Sequence, residues 1–410
     1  MDAEVRTNRA GELVVQRVVR QFPLEPGLWI ALTPTGGCWH ASVETAAPAG
    51  GEPVLGADAL AHLLRFQQVP PVEGFDLVRH VPAPEASGER PMDDDGRVVV
   101  VGERVVVSWN RIVQDIPYTA PVTLSQLAAV NFLGVPDTHG LLLWSTPSGH
   151  RAPIAIATRY LPRALDGRRA LASLLRRGPT AESQEMPSLA ARMGRITAAL
   201  HVALATRSRV LPEPVRAASP DELRAWHQRV RATLARAALI AAEGTAPDVA
   251  RGYLTALHRY EAEAEVLDRA AAGPEVLVQR VHGDLHVGRI LRWAGGLMII
   301  GFGAEPDADP LTLGPQPPVR DLARLLQSLT GVARFVDDEI GDDWCMTEWL
   351  PDARRRLLAA YRIELGVAGR PELLDERLLA AFEAEHAAGE VIAAARRVTA
   401  HDSPESAIPH

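Results

Sequence analysis

The chain has 410 residues, 47% of them hydrophobic and 23% charged, which is enough to bury more than one core and to form two or three lobes. A net charge of −8 argues against a general nucleic-acid binder, and no stretch approaches the roughly 18 apolar residues of a membrane span. Cys38 and Cys345 stand far apart with no metal-ligand spacing, and the first thirty residues lack an apolar export segment, so the expectation is a cytoplasmic protein with reduced thiols.

Residues 1–96 alternate short apolar runs, such as Leu13-Val14-Val15 and Leu28-Trp29-Ile30-Ala31-Leu32, with Pro and Gly. This pattern predicts a small strand-rich cap carrying one helix over Ala57–Phe66. The polar stretch from Pro84 to Gly96 reads as a turn or linker. Residues 97–163 hold strand patterns at about 98–108 and 141–145, a helical segment around Thr123–Leu127, and a run from Pro153 to Tyr160 ending at Leu161-Pro162, a candidate hinge. Residues 164–400 are mainly amphipathic helix, including Asp248–Ala271 and Pro371–Arg397, and the tail 401–410 reads as mobile.

Within the helical part, the apolar runs Val276–Val281 and Leu297–Ile300 suit buried strands and bracket the string His282-Gly283-Asp284-Leu285-His286. This string resembles the protein-kinase catalytic loop, in which the Asp takes the proton of the attacking hydroxyl and a residue five positions on holds metal through an amide oxygen. Three further strings resemble bacterial maltokinases of the aminoglycoside-phosphotransferase family. They are Thr197-Ala198-Ala199-Leu200-His201-Val202-Ala203-Leu204-Ala205, Gly303-Ala304-Glu305-Pro306 and Arg320-Asp321-Leu322-Ala323-Arg324-Leu325-Leu326-Gln327-Ser328. The resemblance covers about residues 95–400. It implies an α+β, bilobal protein-kinase-like (aminoglycoside phosphotransferase-like) fold with an N-terminal cap and a mainly helical C-lobe.

Against that family pattern, four groups that would bind nucleotide and metal are missing. The position five after Asp284 is Arg289, and the D-F-G position, seventeen after Asp284, reads Gly301-Phe302-Gly303. There is no lysine in the chain, so the strand Lys that grips phosphates has Ser108 or a neighbour in its place. No Glu lies between Glu103 and Glu182, which removes the partner of that Lys. Arg104, Arg111, Ser108 and Arg289 are the remaining candidates for phosphate contact, although Arg is a planar fork and no simple substitute for Lys. Glu305 is a weak metal candidate, with Asp307 and Asp309 in the same Pro-bounded loop. Asp284 and His286 are the catalytic candidates. Glu383, Glu385 and Glu390 are candidates for binding sugar hydroxyls, but the Trp that the family carries near its C-terminus has no counterpart after Trp349.

Three readings follow. The first is a maltokinase-like pseudokinase, acting by binding a small molecule or a protein partner, with no cofactor expected. A second is an atypical ATP-dependent sugar or aminoglycoside phosphotransferase using ATP and Mg²⁺. Third, the fold could serve other chemistry, with Asp284 and His286 as an acid/base pair. None involves nucleic acid or a membrane.

Overall fold

The computed structural model describes residues 4–7, 13–16, 20–46, 55–65, 71–178, 185–243, 275–294, 296–302 and 313–401. The chain divides into two compact units. The first comprises 1–164 with 208–210 and 298–313, and the second comprises 165–207, 211–297 and 314–410.

In the first unit, β1 (Glu4–Thr7) and β2 (Leu13–Gln16) form a hairpin, and β3 (Arg20–Glu25), β4 (Leu28–Thr35) and β5 (Cys38–Thr45) form an antiparallel meander followed by α1 (Ala57–Arg65). Then come β6 (Phe75–Arg79), β7 (Glu89–Pro91), β8 (Val98–Val101), β9 (Val105–Trp109), β10 (Ile112–Val113), α2 (Ala120–Ala129), β11 (Thr138–Ser145) and β12 (Arg151–Arg159). The strands order as β10-β5-β4-β3 in one sheet and β6-β11-β12-β9-β8-β7 in another. Gly102 and Glu103, both at φ 54°, are a left-handed pair in the three-residue turn, 102–104, between β8 and β9. Ala57, Leu60, Ala61 and Leu64 share one face of α1 and join Ile30, Leu32, Val99 and Val107 in a single core.

The expected helix at 57–66 and the strands at 98–108 and 141–145 are present, and Thr123–Leu127 lies within α2. The polar stretch 84–96 is more than a linker. Its residues Glu89–Pro91 pair with Val99–Val101 as the edge strand of the six-stranded sheet. There Glu89 also accepts the backbone N–H groups of Leu55, Ala57 and Asp58 at 2.6, 3.0 and 3.3 Å, placing a carboxylate at the positive end of α1. With β6 in the same sheet as β8 and β9, sheet and core run continuously across position 96 within this unit.

The second unit is mainly helical. It contains α3 (Gly167–Leu175), α4 (Glu185–Leu204), α5 (Pro220–Glu243), α6 (Val319–Ile340), α7 (Leu350–Val367) and α8 (Leu379–His401). Short strands β13 (Leu165–Asp166), β14 (Val215–Ala217), β15 (Leu277–Gln279) and β16 (Ile290–Trp293) supply two small sheets, one completed by β17 (Gly296–Ile299). Helix α6 buries Leu322, Leu325, Leu326, Leu329, Val332 and Val336, a 3.6-residue stripe, and stops at Gly341, whose φ of 77° suits a left-handed cap. Gly194 lets α4 and α7 touch, because a Cβ there would overlap the Leu357 carbonyl. The helical pattern over Pro371–Arg397 becomes regular helix only from Leu379, after two short 3-10 turns. The expected helix at 248–271 lies outside the described residues, as does 402–410 of the tail. Both cysteines are free thiols, and burial pushes the Cys345 thiol up to about 12.

Candidate active site

The loop after β15 is held by one buried carboxylate. Asp321, in the first turn of α6 and 2% exposed, accepts the backbone N–H groups of His282 at 2.7 Å and Gly283 at 2.9 Å. It is also 3.2 Å from Nε2 of the fully buried His201 on α4, whose Nδ1 lies 2.7 Å from the Tyr361 hydroxyl of α7. A neutral imidazole satisfies both contacts, with Nε2–H donating to Asp321 and Nδ1 accepting from the phenol. Burial, the largest influence on Asp321, would raise its pKa. The hydrogen bond from His201 and the His282 N–H hold it below the ordinary carboxylate value. The loop is therefore fixed by a chain running from α6 through α4 to α7.

The next residues carry the candidate chemistry. Gly283 takes a φ of 84°, so the chain turns sharply before Asp284. The side chain of His286 then caps a 3-10 turn, Val287–Arg289, by accepting the Gly288 N–H at 3.1 Å. That turn brings Arg289 back onto Asp284, with Nη2 at 2.7 Å and Nε at 3.1 Å from Oδ2. Arg324, one helical turn beyond Asp321 on α6, places Nη2 against Oδ1 of the same carboxylate. Both oxygens of Asp284 are thus on guanidinium groups. His286 Nε2 is 3.8 Å from Oδ2, too long for a hydrogen bond.

Charge follows from this geometry. Burial would raise the Asp284 pKa, but Arg324 and then Arg289 overrule it and keep the carboxyl below its ordinary value. His286 is brought to about 4, chiefly by burial, with Asp284 opposing the shift and Arg289 and Arg324 adding to it. His386, on α8 near Arg320 and Arg324, is likewise brought to about 3, chiefly by burial. In the unfolded chain both imidazoles protonate near 6.5, so below that pH the unfolded state binds protons the folded state refuses. Stability is therefore expected to fall as pH drops from about 6.5 to 4.5. Glu222, held at about 2 by Arg216 and Ser219 against the opposing effect of burial, adds its own loss only once pH falls below 4.5. Denaturant midpoints between pH 7 and 5 check this, and His386→Leu should flatten the upper part of the slope.

The divalent ion implied by the family resemblance does not fit the described residues. Asp284 has no oxygen clear of a guanidinium, the amide position is Arg289, and position 301 is glycine. Among the described residues no group of three or more His, Cys, Asp or Glu side chains could hold a metal. Glu305, Asp307 and Asp309 lie outside the described residues.

The other candidates are distributed more widely. In the first unit, Ser108 is exposed on β9, and Arg104 is exposed in the turn before it, its Nη1 3.4 Å from the Glu85 carbonyl. Arg111 is half-buried and donates to the Gly96 carbonyl at 3.3 Å. In the second unit, Glu385 is 4% exposed and clamped by Arg320 at 2.6 Å and Arg229 at 2.6 Å, which makes it a packing group rather than an open site for hydroxyls. Glu383 sits 2.7 Å from Arg354 with its pKa raised by burial. Glu390 is exposed, 3.4 Å from the Gln327 amide. Of the candidates read from the sequence, the structure gathers Asp284, His286 and Arg289. The sequence reading missed Arg324 and the anchoring roles of Asp321 and His201, although all three stand in strings that carry the family resemblance.

No protein-family model matches the chain. It is 30% identical over 332 residues to a glucosamine kinase of Mycolicibacterium smegmatis, spanning 76% of each chain. Against a glucosamine kinase of Streptacidiphilus jiangxiensis it is 33% identical over 343 residues, spanning 79% of this chain and 73% of that one. A solved glucosamine kinase superposes with a TM-score of 0.77 at 26% identity, over 94% of this chain and 91% of the other. Another, in complex with glucosamine, ADP and inorganic phosphate, gives a TM-score of 0.76 at 26% identity with the same coverage. The expected α+β, protein-kinase-like fold is therefore present, while the narrower likeness to maltokinases gives way to enzymes named for an amino sugar. At this level of identity over three quarters of its length, the chain belongs to the glucosamine kinase family.

Proposed function

We propose that the protein is an ATP-dependent sugar phosphotransferase whose acceptor is an amino sugar of the glucosamine type. The observation that carries this reading is membership of the glucosamine kinase family by a chain that keeps Asp284 on a loop fixed by Asp321. In the reaction, the acceptor oxygen forms a bond to the γ-phosphorus. The bond from that phosphorus to its bridging oxygen breaks, ADP leaves with the electron pair, and the hydroxyl proton passes to Asp284. Phosphoryl transfer asks mainly for positioning and charge stabilisation. An ionised carboxylate on a rigid loop orients the hydroxyl well, provided one oxygen is released by its arginine. The family relationship thus favours the second of the three readings over the expectation of a cofactor-free pseudokinase.

One observation still favours binding without transfer: both Asp284 oxygens are engaged by Arg289 and Arg324. Acid/base chemistry by Asp284 and His286 as a pair is the weaker reading, since His286, brought to about 4, offers no imidazolium to act as the acid near pH 7. Incubation with ATP and, in turn, glucosamine, glucose, maltose and an aminoglycoside, followed by mass spectrometry, separates the first two readings. The account expects a monophosphate of glucosamine. Saturable nucleotide binding with no phosphorylated sugar in any arm would establish the binding-only reading instead.

A further inference from the structure

The mismatch between this site and a divalent ion has a direction. Among Asp284, His286, Arg289 and Arg324 there is one negative charge and there are two positive ones. His286 is neutral, because its Nδ1 accepts the Gly288 N–H. Among the described residues, an entering dication meets two guanidinium groups and no uncommitted carboxylate oxygen, whereas a phosphate oxyanion meets the opposite field. Arg324 adds a second sign. It holds Asp284 through Nη2, is 38% exposed, and has a buried Nε with no hydrogen-bond partner among the described residues. A buried donor left unpaired is costly, so this guanidinium gains by turning to an acceptor that can take two of its N–H groups. A phosphate group offers such an edge, and Arg binds it bidentately.

We propose that Arg289 and Arg324 form a metal-independent site for the polyphosphate of a nucleoside triphosphate, supplying the neutralisation that a divalent ion gives in related kinases. That the anion is ATP rests on the phosphotransferase reading above. The same contacts couple binding to catalysis. As phosphate oxygens draw the guanidinium groups away, an oxygen of Asp284 becomes available to the acceptor hydroxyl. The base is uncovered only when the nucleotide is in place.

The test is calorimetric titration of ATP into the full chain in EDTA and again in excess MgCl2. ATP should bind in EDTA at least as tightly as with Mg²⁺, and Arg324→Gln should weaken the EDTA affinity tenfold or more. Arg289→Gln should do the same, so that a folding defect in one variant leaves the other as a test, and Arg355→Gln on an exposed helical face should change nothing. No binding in EDTA, or unchanged affinity in both site variants, overturns the proposal. Amino-sugar phosphorylation that requires Mg²⁺ would sink this site and leave the proposed function standing. Tight ATP binding in EDTA that depends on both arginines, with no sugar phosphorylated, would do the reverse.

Discussion

Replacing Asp321 by alanine is expected to lower the unfolding free energy by about 3–5 kcal/mol, the range for removing one partner of a buried charged network. The carboxylate serves three donors at once: the backbone N–H groups of His282 and Gly283 and the Nε2–H of His201. Without it, each backbone donor loses a partner at about 1–3 kcal/mol, with no water path evident at a site 2% exposed. Asparagine should recover only part of this, since its amide offers a single acceptor oxygen and turns an NH2 toward the same donors. Activity should be lost with the loop geometry even under conditions where the variant remains folded. Urea denaturation of both variants checks the magnitude. A loss under about 1 kcal/mol for alanine would mean that the loop is held by other contacts.

The second large effect is expected from Asp284→Asn, which should reduce phosphoryl transfer by about 10²–10⁴-fold, the usual contribution of a positioned general base. It should do so with nucleotide affinity kept or improved. The variant removes the carboxylate that Arg289 and Arg324 share, so more of their charge is available to phosphate. A drop in turnover paired with unchanged or tighter ATP binding would separate base from binding group. Equal losses in both would show that Asp284 instead orders the arginines that bind the nucleotide.

Much of the fold could be read from the residues, for reasons that also explain the misses. Helix α1 and strands β8 and β9 carry their own periodicity, apolar positions three and four apart in one and runs of Val in the others. Strand β7 carries none. Its residues Glu89-Arg90-Pro91 look like a linker because an edge strand is held by its backbone and tolerates Pro and charge. The loop string around Asp284 is contiguous and legible, whereas Arg324 lies forty positions on and reads as an ordinary helix residue until α6 packs beside the loop. Glu383, Glu385 and Glu390 look like one acidic set in sequence. Two residues apart on a helix means opposite faces, so Glu385 turns inward to Arg229 and Arg320 while Glu383 and Glu390 do not follow it. The expectation of a pseudokinase leaned on four missing groups; it counted Arg289 as a candidate for phosphate contact but not Arg324, whose charge joins it at Asp284 only in the folded chain.

The most direct measurement is ADP formation from ATP by the purified full chain with and without glucosamine, run beside Asp284→Asn. The account predicts ADP that rises with glucosamine in a saturable way in the parent and falls by at least a hundredfold in the variant. ADP formation that ignores every sugar offered, or an Asp284→Asn protein as active as the parent, would contradict it.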